Sequence, residues 1–78
     1  MASQAYVFVY VAPGKADGVA KAIARHRGVK AAHAYWGRPD VIAFAETASL
    51  RAPSELVLPR IQRVRGVEAT DSRIVLDV

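Results

Sequence analysis

The sequence predicts a small α+β domain with the element order β-α-β-β-α-β, and three observations predict it. The first is an internal repeat. "RHRGVKAA", from residue 25, returns as "RVRGVEAT" from residue 63, so that Arg25 and Arg63, Arg27 and Arg65, Gly28 and Gly66, Val29 and Val67, and Ala31 and Ala69 are each 38 residues apart. Val19 and Val57, and Ile23 and Ile61, keep that offset. The second is that the apolar period inside each copy switches between that of a strand and that of a helix. The third is length: 78 residues leave room for one core, so the two copies must be halves of a single unit.

"AYVFVYV", residues 5–11, is dense in β-branched and aromatic residues and is ended by "APGK", which reads as a strand and a turn. Val7, Val9 and Val11 form one face and Tyr6, Phe8 and Tyr10 the other; both are apolar, so both sides of this strand need cover. From Lys15 to Arg27 the period becomes helical, with Val19, Ala22, Ile23 and His26 on one stripe. Gly28 supplies a left-handed C-terminal cap and Val29 starts a second strand. "YWGRPDVIAFAE" turns around Gly37, Arg38 and Pro39 into a third strand, Val41 to Glu46. The second copy then repeats the grammar: Val57, Ile61 and Val64 make a helical stripe, Gly66 caps it, and Val67 leads into a strand ending "RIVLDV".

This helix is predicted to start between Ser49 and Ser54. Pro53 would lie in or just before its first turn, and Pro59 would kink it. The order is that of the ferredoxin-like split βαβ unit, a four-stranded antiparallel sheet with strands 1 and 3 central and helices on one face only. The repeated "RGV" is the joint where each helix stops and the next strand begins.

Composition narrows the function. The chain is 53% hydrophobic but only 8% aromatic, more apolar surface than a domain burying about 60% of its unfolded surface can hide. The uncovered sheet face therefore calls for a second copy of the chain, since exposed apolar patches of that extent are rare on monomers. There is no Cys, which excludes disulfides and thiolate metal sites. No apolar run approaches the length of a membrane span and no signal-like segment opens the sequence, so a cytoplasmic location is expected. The net charge of +4 and pI near 10.0 invite a nucleic-acid reading. The basic residues are dispersed, however, and most are expected at helix ends or on polar helix faces. No sequence-specific DNA binding is expected.

Catalytic patterns are sparse. His26 ends an apolar stripe, His33 lies within strand 2, and neither has a carboxylate or second His at ligand spacing, so no metal and no cofactor are predicted. Ser49, Ser54 and Ser72 lack a Gly-rich elbow, and "APGK" is too short for a phosphate loop. The one crowded polar spot is the hairpin "AYWGRPDV". There Gly37 frees backbone amides for an anion, Asp40 is a candidate acceptor for an ammonium group, and Tyr35 and Trp36 are candidate walls for a small ligand. An equal alternative is that Gly37 and Asp40 simply make the turn while the aromatics pack at an interface.

Taken together, "AYVFVYVAPGK", "RGVKAA", "GRPDVIAF" and "IQRVRGVEATDSRIVL" resemble the ligand-sensing (RAM) domain of Lrp/AsnC transcription regulators, over about residues 5 to 76. The resemblance implies a ferredoxin-like domain that dimerises through its sheets, in the manner of a dimeric α/β barrel, and assembles into octameric or decameric rings. It also implies an amino-acid ligand held where dimers meet. There the G-x-x-D hairpin, Gly37, Arg38, Pro39 and Asp40, would meet Thr70 and Ser72 of the last strand; with Tyr35 and Trp36 from the residue reading, these are the candidate ligand-binding residues.

Two departures from the family stand out. Strand 1 begins by residue 5, so residues 1–78 are expected to be a single sensing domain without the usual helix-turn-helix, acting by itself or by mixed assembly with a full-length Lrp/AsnC regulator. Pro39 also stands where the family commonly has an aromatic residue. The expected function is thus a non-enzymatic, oligomeric effector-binding protein. The alternative is a small dimeric α/β-barrel enzyme such as a monooxygenase, some of which use haem; only His33 would be available to it.

Overall fold

Strand β1 (Ser3–Val11) alternates between the two faces of the sheet. Ser3, Ala5, Val7, Val9 and Val11 are buried, whereas Tyr6 is exposed and Gln4, Phe8 and Tyr10 are half-buried. The valines therefore take the face beneath the helices and the aromatics take the open face. These features come from a computed structural model, which describes residues 3–47 and 57–75.

The further elements are α1 (Ala16–Ala24), β2 (Val29–Ala34), β3 (Val41–Thr47), α2 (Leu58–Gln62) and β4 (Val67–Ile74). The strands form one antiparallel sheet in the order β2-β3-β1-β4. This is the predicted ferredoxin-like α+β arrangement, with the two most apolar strands at its centre. β1 pairs with β3 from Ser3–Thr47 to Val9–Val41, and with β4 from Ala5–Ile74 to Val11–Val67. The core lies between sheet and helices: Val7, Val9, Val41, Ala43 and Ala45 from the central strands, Val19, Ala20 and Ile23 from α1, and Val57 and Ile61 at α2.

The repeat reappears in the backbone. After α1, the N–H groups of Arg25, His26 and Val29 donate to the carbonyls of Ala22, Ile23 and His26; after α2, those of Arg63, Val64 and Val67 donate to Arg60, Ile61 and Val64. Each bond of the first set has its partner 38 residues later. The joint glycines have φ of 93° (Gly28) and 101° (Gly66), conformations that favour glycine. They also interlock the halves. A Cβ on Gly28 would lie 3.0 Å from Val57 Cγ2, and one on Gly66 would lie 3.1 Å from Val19 Cγ2. Each joint is seated against the start of the other half's helix, so the two helices run antiparallel.

Three details differ from expectation. α1 ends at Ala24 rather than Arg27, because Arg25 and His26 donate to carbonyls three residues back, tightening the last turn. Gly28 thus closes a further turn instead of capping the helix directly, and His26 is only half-buried. Ala20, not Ala22, completes the buried stripe with Val19 and Ile23. Pro59 follows Leu58 in the described part of α2, and Val57 before them already has helical backbone angles. The predicted helix start between Ser49 and Ser54, with Pro53, lies outside the described residues.

Candidate functional site

The connection from β2 to β3 is held by its backbone before any side chain is considered. Tyr35 N–H donates to the Asp40 carbonyl (2.8 Å), and Asp40 N–H donates to the Val9 carbonyl (3.0 Å). Gly37 has φ 121° with nothing within 4 Å of where a Cβ would stand. Its requirement is therefore conformational, not steric. The Arg38–Pro39 peptide is cis.

Asp40 is the anchor. Its Oδ2 accepts from the Val11 N–H (2.9 Å) and from Arg38 Nη1 (3.1 Å), tying the hairpin to the end of β1. Arg38 in turn lies 4.8 Å above the Tyr10 ring, a cation–π distance. Among the described residues, the bonds to the Asp40 carboxylate all fall on Oδ2. Tyr35 is about half exposed, at 47%, and Trp36 is fully exposed, at 105%.

Thr70 and Ser72 are half-buried on β4, and they do not adjoin the hairpin within one chain. Thr70 pairs with Val9 on one side of β1, while Asp40 bonds Val9 from the other. Two strand spacings separate them, about 9–10 Å. Asp40 and Thr70 therefore flank β1 from opposite sides. The Thr70 hydroxyl accepts from Gln62 Nε2 (3.0 Å), which links β4 to α2.

A second arginine bracket escaped the sequence reading. Arg73 Nη1 pairs with Asp71 Oδ1 at 2.6 Å, and the Arg73 guanidinium lies 5.7 Å from the Phe8 ring. The Arg73 hydrogen bond, with its charge, holds the Asp71 carboxyl below its ordinary value of 3.8. The signal was present as Asp-x-Arg, since residues two apart share a strand face. The open face thus carries Tyr6 and Phe44, whose rings are tilted with centroids 5.0 Å apart, together with Phe8, Tyr10 and Ile42, flanked by two arginines that each carry their own aspartate. His33 pairs with Ile42 and is exposed on edge strand β2. Among the described residues, no three His, Cys, Asp or Glu side chains gather as a metal site. Among them, too, no helix is long and apolar enough to cross a membrane.

Comparison with known proteins agrees with this geometry. The structure is similar to TTHA0845 from Thermus thermophilus (TM-score 0.86, 20% identity, covering 97% of this chain and 95% of that one). It is also similar to AsnC of E. coli (TM-score 0.82, 14% identity, 97% of this chain and 52% of that one). A third likeness is to the transcriptional regulator NMB0573 from Neisseria meningitidis in its L-Met complex (TM-score 0.77, 25% identity, 96% of this chain and 50% of that one). No curated protein sequence matches. Residues 4–78 match the Lrp/AsnC ligand binding domain, and the chain belongs to that family.

Proposed function

We propose that this protein is an oligomeric effector-binding protein whose small-molecule ligand is an amino acid, and that it modulates a full-length Lrp/AsnC regulator by mixed assembly in the cytoplasm. The observation that carries the reading is membership of the Lrp/AsnC ligand binding domain family over residues 4–78. The hairpin fits the role. A carboxylate with one oxygen already fixed to backbone and arginine presents the other to an ammonium group, and the Gly37 turn presents amides to a carboxylate. The regulator NMB0573, 25% identical, was solved as a complex with L-Met, so methionine is the first ligand to try.

The separation of Asp40 from Thr70 and Ser72 supports a site shared between protomers, in which the hairpin of one chain faces β4 of another. The aromatic open face supplies the other contact, sheet against sheet, and repetition of the two contacts gives a closed ring such as an octamer or decamer. Thermal unfolding in the presence of each common amino acid tests the reading. A ligand at a hundred times its Kd adds about 2.7 kcal/mol, which raises Tm by about 10 °C or more in a domain this size. Unchanged unfolding with every amino acid, L-Met included, would refute it.

A further inference from the structure

We propose that the helix layer of this protein docks on the phosphate backbone of duplex nucleic acid, without reading its sequence. The basis is the way charge is segregated. On the open face, Arg38 and Arg73 are each neutralised by an aspartate two residues away. On the helix side Lys21 is paired with Asp17. The other described cations have no ion pair among the described residues and, Arg60 on α2 apart, they collect at the two ends of the helix layer. Lys15 packs beside Gly66, its Cβ 3.3 Å from where a Gly66 Cβ would stand, and so joins Arg63 and Arg65. At the opposite end, Arg25 and Arg27 precede the Gly28 joint and Lys30 follows it at the start of β2. All six are exposed.

Helix stabilisation accounts for only part of this. Arg25 and Arg63 are C-caps, where a cation favours the helix dipole. Lys15 is the N-cap of α1, where a cation opposes it. Arg27, Arg65 and Lys30 lie beyond both helices and gain nothing from either.

The layer suits a polyanion better than a protein. Protein interfaces are built around apolar or aromatic anchors. Among the described residues, the exposed large hydrophobic ones are Tyr6, Tyr35, Trp36, Ile74 and Val75, none of them on a described helix. A phosphate backbone needs no such anchor, and arginine forks suit its oxygens. The clusters sit at opposite ends of a nine-residue helix, about 14 Å apart at 1.5 Å per residue. A major groove about 12 Å wide is flanked by phosphates at a comparable spacing.

Fluorescence anisotropy with short labelled duplexes of unrelated sequence, without amino acid, tests the proposal independently of the effector reading. At about 50 mM salt the protein should bind all of them alike, with affinity falling linearly in log salt. Arg27→Gln with Arg65→Gln should weaken binding about tenfold and shallow the salt slope by about 1.8. Lys21→Gln with Arg73→Gln removes the same charge from ion-paired positions and should change binding far less. Size-exclusion chromatography checks that each variant assembles as the parent does. No binding at low salt, equal weakening by the two double variants, or equal affinity for polyglutamate would overturn the proposal.

Discussion

The side chain of Asp40 is bonded to the backbone of Val11: its Oδ2 accepts the Val11 N–H at 2.9 Å, across 29 residues of sequence. The hairpin and the exit of β1 are thereby tied together, and the Asp40 carboxylate is held in one orientation. Asp40→Ala leaves the Val11 N–H without its partner at a half-buried position, which costs about 1–3 kcal/mol of stability. If an ammonium group binds there, the same change also lowers affinity about ten- to hundredfold. Arg38→Ala keeps the Val11 bond and should cost less than about 1 kcal/mol, as exposed ion pairs do. Denaturant unfolding of both variants, beside calorimetry with the best ligand, separates the two roles. Normal binding by Asp40→Ala would leave the hairpin as an interface element only.

Alanine at the joint glycines should be costly for two reasons at once. Gly28→Ala and Gly66→Ala each impose a positive φ on a residue with a Cβ and press that Cβ to 3.0–3.1 Å from a valine methyl. Gly14→Ala, at φ 78° with open space around it, suffers the first penalty alone. Losses of about 2–3 kcal/mol for the joints and about 1 kcal/mol for Gly14 are expected. Thermal melts at equal protein concentration will rank them, and equal Tm values for all three would contradict the interlock.

Ile23 and Ile61 occupy equivalent positions in the two halves and both are fully buried. Ile23→Ala and Ile61→Ala should each destabilise the protein by about 2–5 kcal/mol. Ile→Val at either position should cost only about 0.5–1.5 kcal/mol. Urea titrations provide the comparison; a near-neutral Ile61→Ala would mean that α2 carries little of the core.

Charge placed on the open face should dissociate the proposed sheet-to-sheet assembly while leaving the fold intact. Phe44→Lys breaks the contact with Tyr6 and sets an unpaired cation where a second sheet would pack. Native mass spectrometry should show this variant shifting towards monomer with its far-ultraviolet circular dichroism unchanged. An unaltered oligomer would place the protomer contact elsewhere.

The Asp71–Arg73 pair predicts a small acid-side effect. Because the folded-state pKa of Asp71 is depressed, its contribution is present above the ordinary value of 3.8 and is lost as pH falls through the lower folded value. Asp71→Asn should therefore flatten stability against pH only below about pH 4, and added salt should reduce the difference in the parent. A change confined to neutral pH would show another group at work.

Much of this architecture was legible because the repeat and the strand alternation are local signals. Val7, Val9 and Val11 had to share a face, and Gly28 had to match Gly66, whatever the tertiary structure. The end of α1 was less legible, since His26 continues the apolar stripe although the backbone has already tightened at Arg25. At the site, the hairpin residues stood out by composition, but the rings beside Arg38 and Arg73 did not. Those contacts depend on register, which sets Asp71 opposite Phe8 and Arg73 opposite Tyr6, and no short window of sequence contains it. The placing of β1 between Asp40 and Thr70 is a matter of strand order and is equally non-local.

The crossed seating of the glycines, Gly28 on Val57 and Gly66 on Val19, has a consequence for each half. A chain of half this length would contain the joint but not the socket that receives it, and would find that socket only on a sister molecule. The internal symmetry relating β1 to β3 is the arrangement that joining two copies of one half would produce. The halves are not identical in detail: Asp40 stands at the junction between them, and the Asp71–Arg73 bracket lies only in the second.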